Sequence, residues 1–338
     1  MTAMPSIAII GAGLTGLACA RVLAERGVSS EIFDKARGPG GRLTSRRLPG
    51  AVVDLGAQYF TAREPRFAAR VDAWRQAGLV APWPTRLWRV EAKGWQPHRD
   101  DQTRYSAVPR MSALTRALAE GLTLHVQTRI TALEQQADGW WLADDQGQEH
   151  GPYARVVITV PTPQAEPLVA PHDAALAADC RAVTQRPCWA GHALFEAPLP
   201  PPPGVDDDWQ AAFVNSGPLS LVSRNDSKPG RTGQGESLTL LAGPAASADW
   251  LEDDAETVAP RLLSAFETLY GRPLPRPRLL GAHRWRYAQP AGQVSGPGYR
   301  LSAQGLALAG DGFRASRVED AWLSGHDLGQ ALAAELGH

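Results

Sequence analysis

Short, almost wholly apolar runs alternate along the chain with longer stretches of helical spacing. That is the pattern of parallel strands buried on both faces and joined by helices. Ser6-Ile7-Ala8-Ile9-Ile10 is the first such run. Leu17, Ala18, Ala20, Leu23 and Ala24 then follow at helical spacing until Gly27, and Ser30–Asp34 predicts a second strand. Leu124–Gln127, Arg155–Val160 and Leu306–Ala309 read as further core strands, and Met111–Glu120 as a helix between them. The last helix is predicted from Arg317 onward, with Val318, Ala321, Trp322, Gly325, Leu328 and Leu332 on one apolar stripe. Other segments change to the alternation of exposed strands. Leu87–Val90 and the residues through Tyr105 predict a hairpin around Gly94, and Ile130–Leu133 pairs with Trp140–Leu142 across Asp138-Gly139. Pro198, Pro200–Pro203 and Gly204 resist regular structure and read as a connector.

The junction between the first strand and the first helix carries chemistry. Gly11-Ala12-Gly13-Leu14-Thr15-Gly16 places one glycine at the tight turn, one where backbone approaches a diphosphate, and one where helix meets strand. Unpaired N–H groups at the helix start suit the phosphates. Asp34 ends the second strand, 23 residues after Gly11, where a carboxylate accepts the two hydroxyls of an adenosine ribose. The same charge repels a 2′-phosphate, which disfavours NADP at this position. Lys35 follows directly.

A second glycine turn, Gly38-Pro39-Gly40-Gly41-Arg42, comes next, either as a plain surface turn or as further amides and an arginine for a diphosphate already held. At this point the chain resembles the flavin-containing amine oxidase superfamily, whose members carry such a glycine pair and arginine. Val53-Asp54-Leu55-Gly56-Ala57-Gln58-Tyr59-Phe60 is similar to the segment that passes near the flavin ring in those enzymes. Leu306–Phe313 and the helix after it resemble the second FAD signature of the group. The resemblance implies an α/β fold: a glutathione-reductase-like, discontinuous FAD-binding Rossmann domain with a second, mostly β-sheet substrate domain. The expected divisions are 1–80, 106–164 and 276–338 for the first, and 81–105 and 165–275 for the second. It also implies FAD contacts at Gly11, Ala12, Gly13, Leu14, Thr15, Gly16, Asp34, Lys35, Gly41, Arg42, Asp54, Gly56, Ala57, Gln58, Tyr59, Val126, Gly310, Asp311, Arg317, Val318 and Ala321. Gly305–Gln330 holds no cysteine, and its only histidine, His326, falls inside the predicted helix, so noncovalent FAD is expected.

Composition narrows the alternatives. A chain of 338 residues with 43% hydrophobic positions can bury two cores. Its net charge of -1 gives no basic excess for nucleic acid or an anionic membrane. Cys19, Cys180 and Cys188 have neither metal-ligand spacing nor a disulfide framework, and Asp206-Asp207-Asp208 reads as solvated rather than metal-binding. The start lacks the basic flank of a signal peptide, and no apolar run reaches membrane-spanning length, so a cytoplasmic enzyme is expected, monomeric in its simplest form.

His283-Arg284-Trp285-Arg286-Tyr287, the Val53–Phe60 segment and the polar turn Ser223–Arg231 together resemble the renalase group within that superfamily. This resemblance implies oxidation of 2-dihydro or 6-dihydro NAD(P) to NAD(P)+, with molecular oxygen reoxidising the flavin to give hydrogen peroxide. Tyr59, Phe60, Trp285 and Tyr287 are then the shaping residues, with Gln58, Asn225 and Arg286 as polar guides. Trp285 and Tyr287 also suit an ordinary strand, and the turn is equally compatible with a structural role. The alternative is an oxidase of simple amines. Some of those oxidases are known for a lysine that holds water near the flavin; Lys228 follows a turn rather than the corresponding pattern and is not assigned that role, and neither His192 nor His283 shows an acid–base partner.

Overall fold

The computed structural model describes residues 7–292 and 296–337. Residues 1–6, where the absence of a leader and the first residue of the first strand were read, lie outside them. The chain divides into two compact units, one of residues 1–41, 115–185 and 290–338, the other of 42–114 and 186–289.

The first unit is built on a six-stranded sheet. In spatial order its strands are Thr123–Val126, Ser30–Asp34, Ile7–Ile10, Arg155–Ile158, Leu306–Ala309 and Tyr299–Leu301. All neighbours run parallel except the last pair. Ile7–Ile10 is at most 5% exposed because layers cover both faces. Ile7, Ile9, Leu17, Leu23, Leu328 and Leu332 pack on one side, and Ala8, Ile10, Phe33, Trp140, Leu168 and Leu176 on the other. Helix Leu14–Glu25 lies against helix Val318–Glu335 at very short range: a Cβ on Gly325 would fall 2.0 Å from the Thr15 carbonyl oxygen. Gly329 similarly faces Cys19 and Val22. The stripe on the last helix is therefore centred on small residues.

The second unit centres on a seven-stranded sheet ordered Leu279–Ala291, Thr184–Phe195, Glu236–Ala242, Leu219–Arg224, Ala211–Val214, Leu87–Glu91 and Gly94–Pro97. Alternation along Thr184–Phe195 divides its side chains. Trp189, Ala193 and Phe195 face a core that includes Val258, Leu262 and Phe266 of helix Ala255–Tyr270. Ala190 and Leu194 face Ala51 and Val53 of the Ser45–Leu48/Ala51–Asp54 hairpin and Leu55 just after it. Asp254 caps the helix through Thr257 N, and Gly271, at φ +74°, ends it.

The expected domain divisions shift. Residues 165–185 form helices Thr162–Val169 and Ala174–Ala182, whose Ala165, Leu168, Leu176 and Cys180 pack into the core of the first unit. Residues 42–80, 106–114 and 276–289 belong to the second unit. Among the described residues no helix is long and apolar enough to cross a membrane.

Candidate functional site

Within the first unit the glycine junction has the geometry of a phosphate cradle. Gly11 takes φ +114°, a conformation that favours glycine, and a Cβ on Gly16 would meet the Gly11 carbonyl oxygen at 2.0 Å. A Cβ on Gly13 would meet nothing within 4 Å, so the backbone is open on that side. Gly13 caps helix Leu14–Glu25 without a side-chain hydrogen bond, and no acidic residue occupies the first turn. The helix start thus keeps its affinity for an anion. Gly41, at φ +50°, lies 3.3 Å from the Gly13 Cα when given a Cβ, and Gly40 N donates to the Ala12 oxygen, so the second glycine turn packs on the first.

Asp34 is fixed beside this cradle. One carboxylate oxygen accepts Ala12 N at 2.6 Å and the other accepts Ala36 N at 2.7 Å. Each oxygen has a second lone pair for a ribose hydroxyl. Val126 stands opposite Asp34 in parallel register and is 38% exposed, one of few large apolar side chains so placed. An open backbone, a carboxylate and an apolar edge at successive strand ends fit the diphosphate, ribose and adenine of FAD. Lys35 donates instead to Gln164 Oε1. Further along, Gly310 N donates to Ser324 Oγ, Asp311 is 7% exposed in a tight turn, and Arg317 caps the last helix, with Val318 beginning it. Ala321 accepts Thr15 Oγ1 through its carbonyl.

The second unit holds the remaining sequence-predicted residues, and several have structural work. Arg42 donates from Nη1 to the Ala288 carbonyl, while its own carbonyl receives Ala57 N. A Cβ on Gly56 would come 1.9 Å from that same oxygen, which requires glycine there. Asp54 is fully buried. Its Oδ1 accepts from Ser45 Oγ and Met111 N, and its Oδ2 from Lys228 and Arg231. With four donors on two oxygens, this carboxylate is taken out of the cofactor set. Gln58 is equally committed, giving Nε2 to the Asp54 and Gly56 carbonyls and receiving Ser223 and Lys228 at Oε1. Asn225, expected as a substrate guide, is buried between Asp54 N and Thr239 Oγ1. These contacts hold the loop from Leu55 to Tyr59 rather than offering groups to a ligand.

Electrostatics explains why the cluster stays charged. Burial raises the Asp54 carboxyl, but Lys228 and Arg231 outweigh it and leave it below the usual carboxylate range. Burial lowers the Lys228 ammonium to about 8, opposed by Asp54 and assisted by Arg231. Lys228 Nζ also lies 4.6 Å from the Trp83 ring centre. The polar turn Ser223–Arg231 stands out in the sequence, but its meeting with Asp54 and Gln58 has no local signal, since Ser223, Lys228, Arg231 and Thr239 lie more than 160 residues further along the chain.

The aromatic run on strand Leu279–Ala291 splits by face. Arg286 makes a forked ion pair with Glu252, at 2.7 and 2.9 Å, on the side opposite Trp285, so it does not join the polar guides. Trp285 donates Nε1 to the Leu55 carbonyl at 2.7 Å and meets His283 edge-on. Tyr287 shares its parity and is half-buried. Tyr59 lies edge-on to Phe213 beneath the Arg104 guanidinium, whereas Phe60 packs among Phe67 and Tyr105 and is only 3% exposed. Burial, then Arg46 and His283, push the His192 imidazole down to about 4; burial and Arg46 lower His283. Both rings are neutral near pH 7. Among the described residues no group of three His, Cys, Asp or Glu side chains could hold a metal ion.

Residues 9–74 match an NAD(P)-binding Rossmann-like domain, and residues 95–332 match the flavin containing amine oxidoreductase family. Hydroxyneurosporene desaturase of Rubrivivax gelatinosus is 42% identical over 57 residues, which are 17% of this chain and 11% of that protein. Renalase of Mus musculus is 22% identical over 330 residues, covering 92% of this chain and 93% of that one. A redesigned putrescine oxidase triple mutant has the same fold, with TM-score 0.73 and 12% identity over 98% of this chain and 99% of its own.

Proposed function

We propose that this chain, a member of the flavin containing amine oxidoreductase family, is an FAD-dependent oxidoreductase that removes a hydride from a carbon bonded to nitrogen, in the manner of an amine oxidase. Bound FAD supplies a two-electron acceptor that can pass those electrons on to molecular oxygen. Gly11, Gly13, Gly16, Asp34, Gly41 and Val126 would hold its adenosine diphosphate half. The donor carbon loses hydride, its nitrogen lone pair forms the new C–N π bond, and an amine's iminium product then hydrolyses in water.

What supports this reading is that Trp285, Tyr287 and Tyr59 are half-buried aromatic side chains, while His192 and His283 are both depressed toward their uncharged forms. Hydride loss beside nitrogen needs a neutral donor whose lone pair is free, and it needs orientation more than a protein base. Lys228, fully buried on Asp54 and Gln58, is a positioning residue for the loop before Tyr59.

A second reading is favoured by the match to mouse renalase along nearly the whole chain. In it the donor is a 2-dihydro or 6-dihydro nicotinamide dinucleotide. Those reduced carbons also adjoin the ring nitrogen, so the two readings share one bond-breaking step. Ordinary 4-dihydro NAD(P)H carries its hydride away from nitrogen and is the discriminating control. Anaerobic reduction of the bound flavin by these donor classes tests the proposal.

A further inference from the structure

A group of polar and aromatic side chains around Tyr59 has no part in the Asp54 cluster. Arg104 opens Arg104–Ala107, the middle strand of a three-stranded sheet in the second unit. Thr61 is its neighbour across the ladder and its carbonyl accepts Trp83 N at 2.9 Å, so the backbone is held from both sides. Arg104 is only 8% exposed. Its guanidinium lies 5.5 Å from the Tyr59 ring centre and 5.8 Å from that of Phe213. Tyr59 and Phe213 meet edge-on and pack on Trp83, Leu87 and Ala211, with Tyr59 left partly exposed.

An arginine steadies a ring only if its own plane is fixed, and Asp100 fixes it. Nη1 donates to Asp100 Oδ1 at 2.8 Å and Nη2 to Oδ2 at 2.5 Å, the two-pronged geometry of guanidinium on carboxylate. Nη1 also donates to the Gln102 carbonyl, so three hydrogen bonds of Arg104 end on the short Asp100–Gln102 turn. Asp100 accepts Gln102 N as well, and His98 Nε2 lies 3.1 Å from its Oδ2. The His98 ring meets Phe213 edge-on. This closes a circle of contacts from Tyr59 through Arg104, Asp100, His98 and Phe213 back to Tyr59. Arg104 holds the Asp100 carboxyl well below the usual carboxylate range, and Asp100 raises the guanidinium in return, so both stay charged.

We propose that Arg104, anchored by Asp100, is a positioning residue for Tyr59 and sets the angle at which that ring meets the hydride donor. A planar guanidinium can lie against an aromatic ring and be forked by a carboxylate at once, which an ammonium cannot do. The effect on the reaction passes through Tyr59, since a displacement of about 1 Å at the donor already costs roughly a hundredfold in rate. The inference rests on the proposed function, with Tyr59 as one of the residues that shape the donor site.

Fluorine NMR of FAD-saturated protein labelled with fluorotyrosine tests the contact without any donor. Tyr59 is one of six tyrosines, and its signal is the one lost in Tyr59→Phe. Burial raises the Tyr59 phenol, Arg104 lowers it and Asp100 raises it. Arg104→Met should therefore move the titration of this signal to higher pH, and Asp100→Asn should move it to lower pH. A general loosening would move both the same way. Stopped-flow reduction of the flavin by benzylamine and by 2-dihydro NAD then reads the positioning. Its limiting rate should fall about tenfold in Arg104→Met, Asp100→Asn and Arg104→Lys, although Arg104→Lys keeps the charge and a near-native titration. Asp100→Asn, at a partly exposed site, carries the test if the Arg104 variants do not fold. Shifts in one direction, no shift, or a wild-type limiting rate in Arg104→Lys or Asp100→Asn overturns the proposal. If neither donor bleaches the flavin, the proposed reaction falls, and the opposed shifts still decide whether the pair governs Tyr59.

Discussion

Lys228 Nζ donates to Asp54 Oδ2 across 2.8 Å, with neither side chain exposed to solvent. The pair joins two stretches 174 residues apart and anchors the start of the loop that ends at Tyr59. Breaking a buried ion pair from one side is costly because the remaining charge loses compensation, here in part, since Arg231 still pairs with Asp54.

Lys228→Met is therefore expected to lower stability by about 3 kcal/mol, read from denaturant unfolding. The pH dependence has a definite sign. Lys228 falls from an ordinary 10.5 to about 8 in the folded chain, so between those values the unfolded chain holds a proton that the folded chain has released. Stability from this group rises with pH across that window. The gap between wild type and Lys228→Met should widen from pH 8 to 10.5; a narrowing gap would show that the folded protein holds this proton more tightly than the unfolded chain. Asp54 acts at the acid end, its contribution present above pH 3.8 and lost as pH falls through its lower folded value.

Two glycines of one motif should fail differently. A Cβ on Gly13 meets no protein atom within 4 Å, so Gly13→Ala should leave the apoprotein's Tm nearly unchanged while FAD affinity falls. Gly16→Ala drives a methyl to 2.0 Å from the Gly11 oxygen and should destabilise the apoprotein itself, by about 1–3 kcal/mol. Asp34→Ala should weaken FAD by roughly 1.5–3 kcal/mol. Apoprotein melting and FAD titration separate the three. Equal loss of apoprotein stability in both glycine variants would contradict the open cradle.

Adjacent residues on one strand should also separate. Arg286→Ala removes an exposed pair with Glu252, worth at most about 1 kcal/mol, and should leave the rate of flavin reduction unchanged. Trp285→Phe removes the bond to the Leu55 carbonyl and should slow reduction. A larger kinetic effect from Arg286 than from Trp285 would reverse this assignment of faces.

The first unit was readable because its signals are local. The order of strand, glycines, helix, strand and Asp34 lies within 34 residues, and each position has one physical reason to be there. The expected second domain begins at residue 165, yet helices Thr162–Val169 and Ala174–Ala182 pack into the core of the first unit, and Pro163 and Pro167 do not prevent the first of them. Pro163 is tolerated in the first helical turn. The contacts of Asp54, Gln58 and Asn225 are hidden from the sequence for another reason. Their partners, Lys228, Ser223 and Thr239, arrive through sheet register that no single segment encodes. Arg286 looked like a guide beside Trp285, yet alternation along a strand places neighbours on opposite faces.

Stopped-flow mixing without oxygen tests the central claim most directly, following the bleaching of bound FAD by each donor class. A primary or secondary amine, or a 2-dihydro or 6-dihydro nicotinamide dinucleotide, should bleach it rapidly, because each offers hydride from a carbon on nitrogen. Ordinary 4-dihydro NAD(P)H should be slower by about a hundredfold or more, the scale of loss expected when the donor carbon is misplaced by about 1 Å. Rapid bleaching by ordinary NAD(P)H, with no response to any donor whose hydride adjoins nitrogen, would contradict the account.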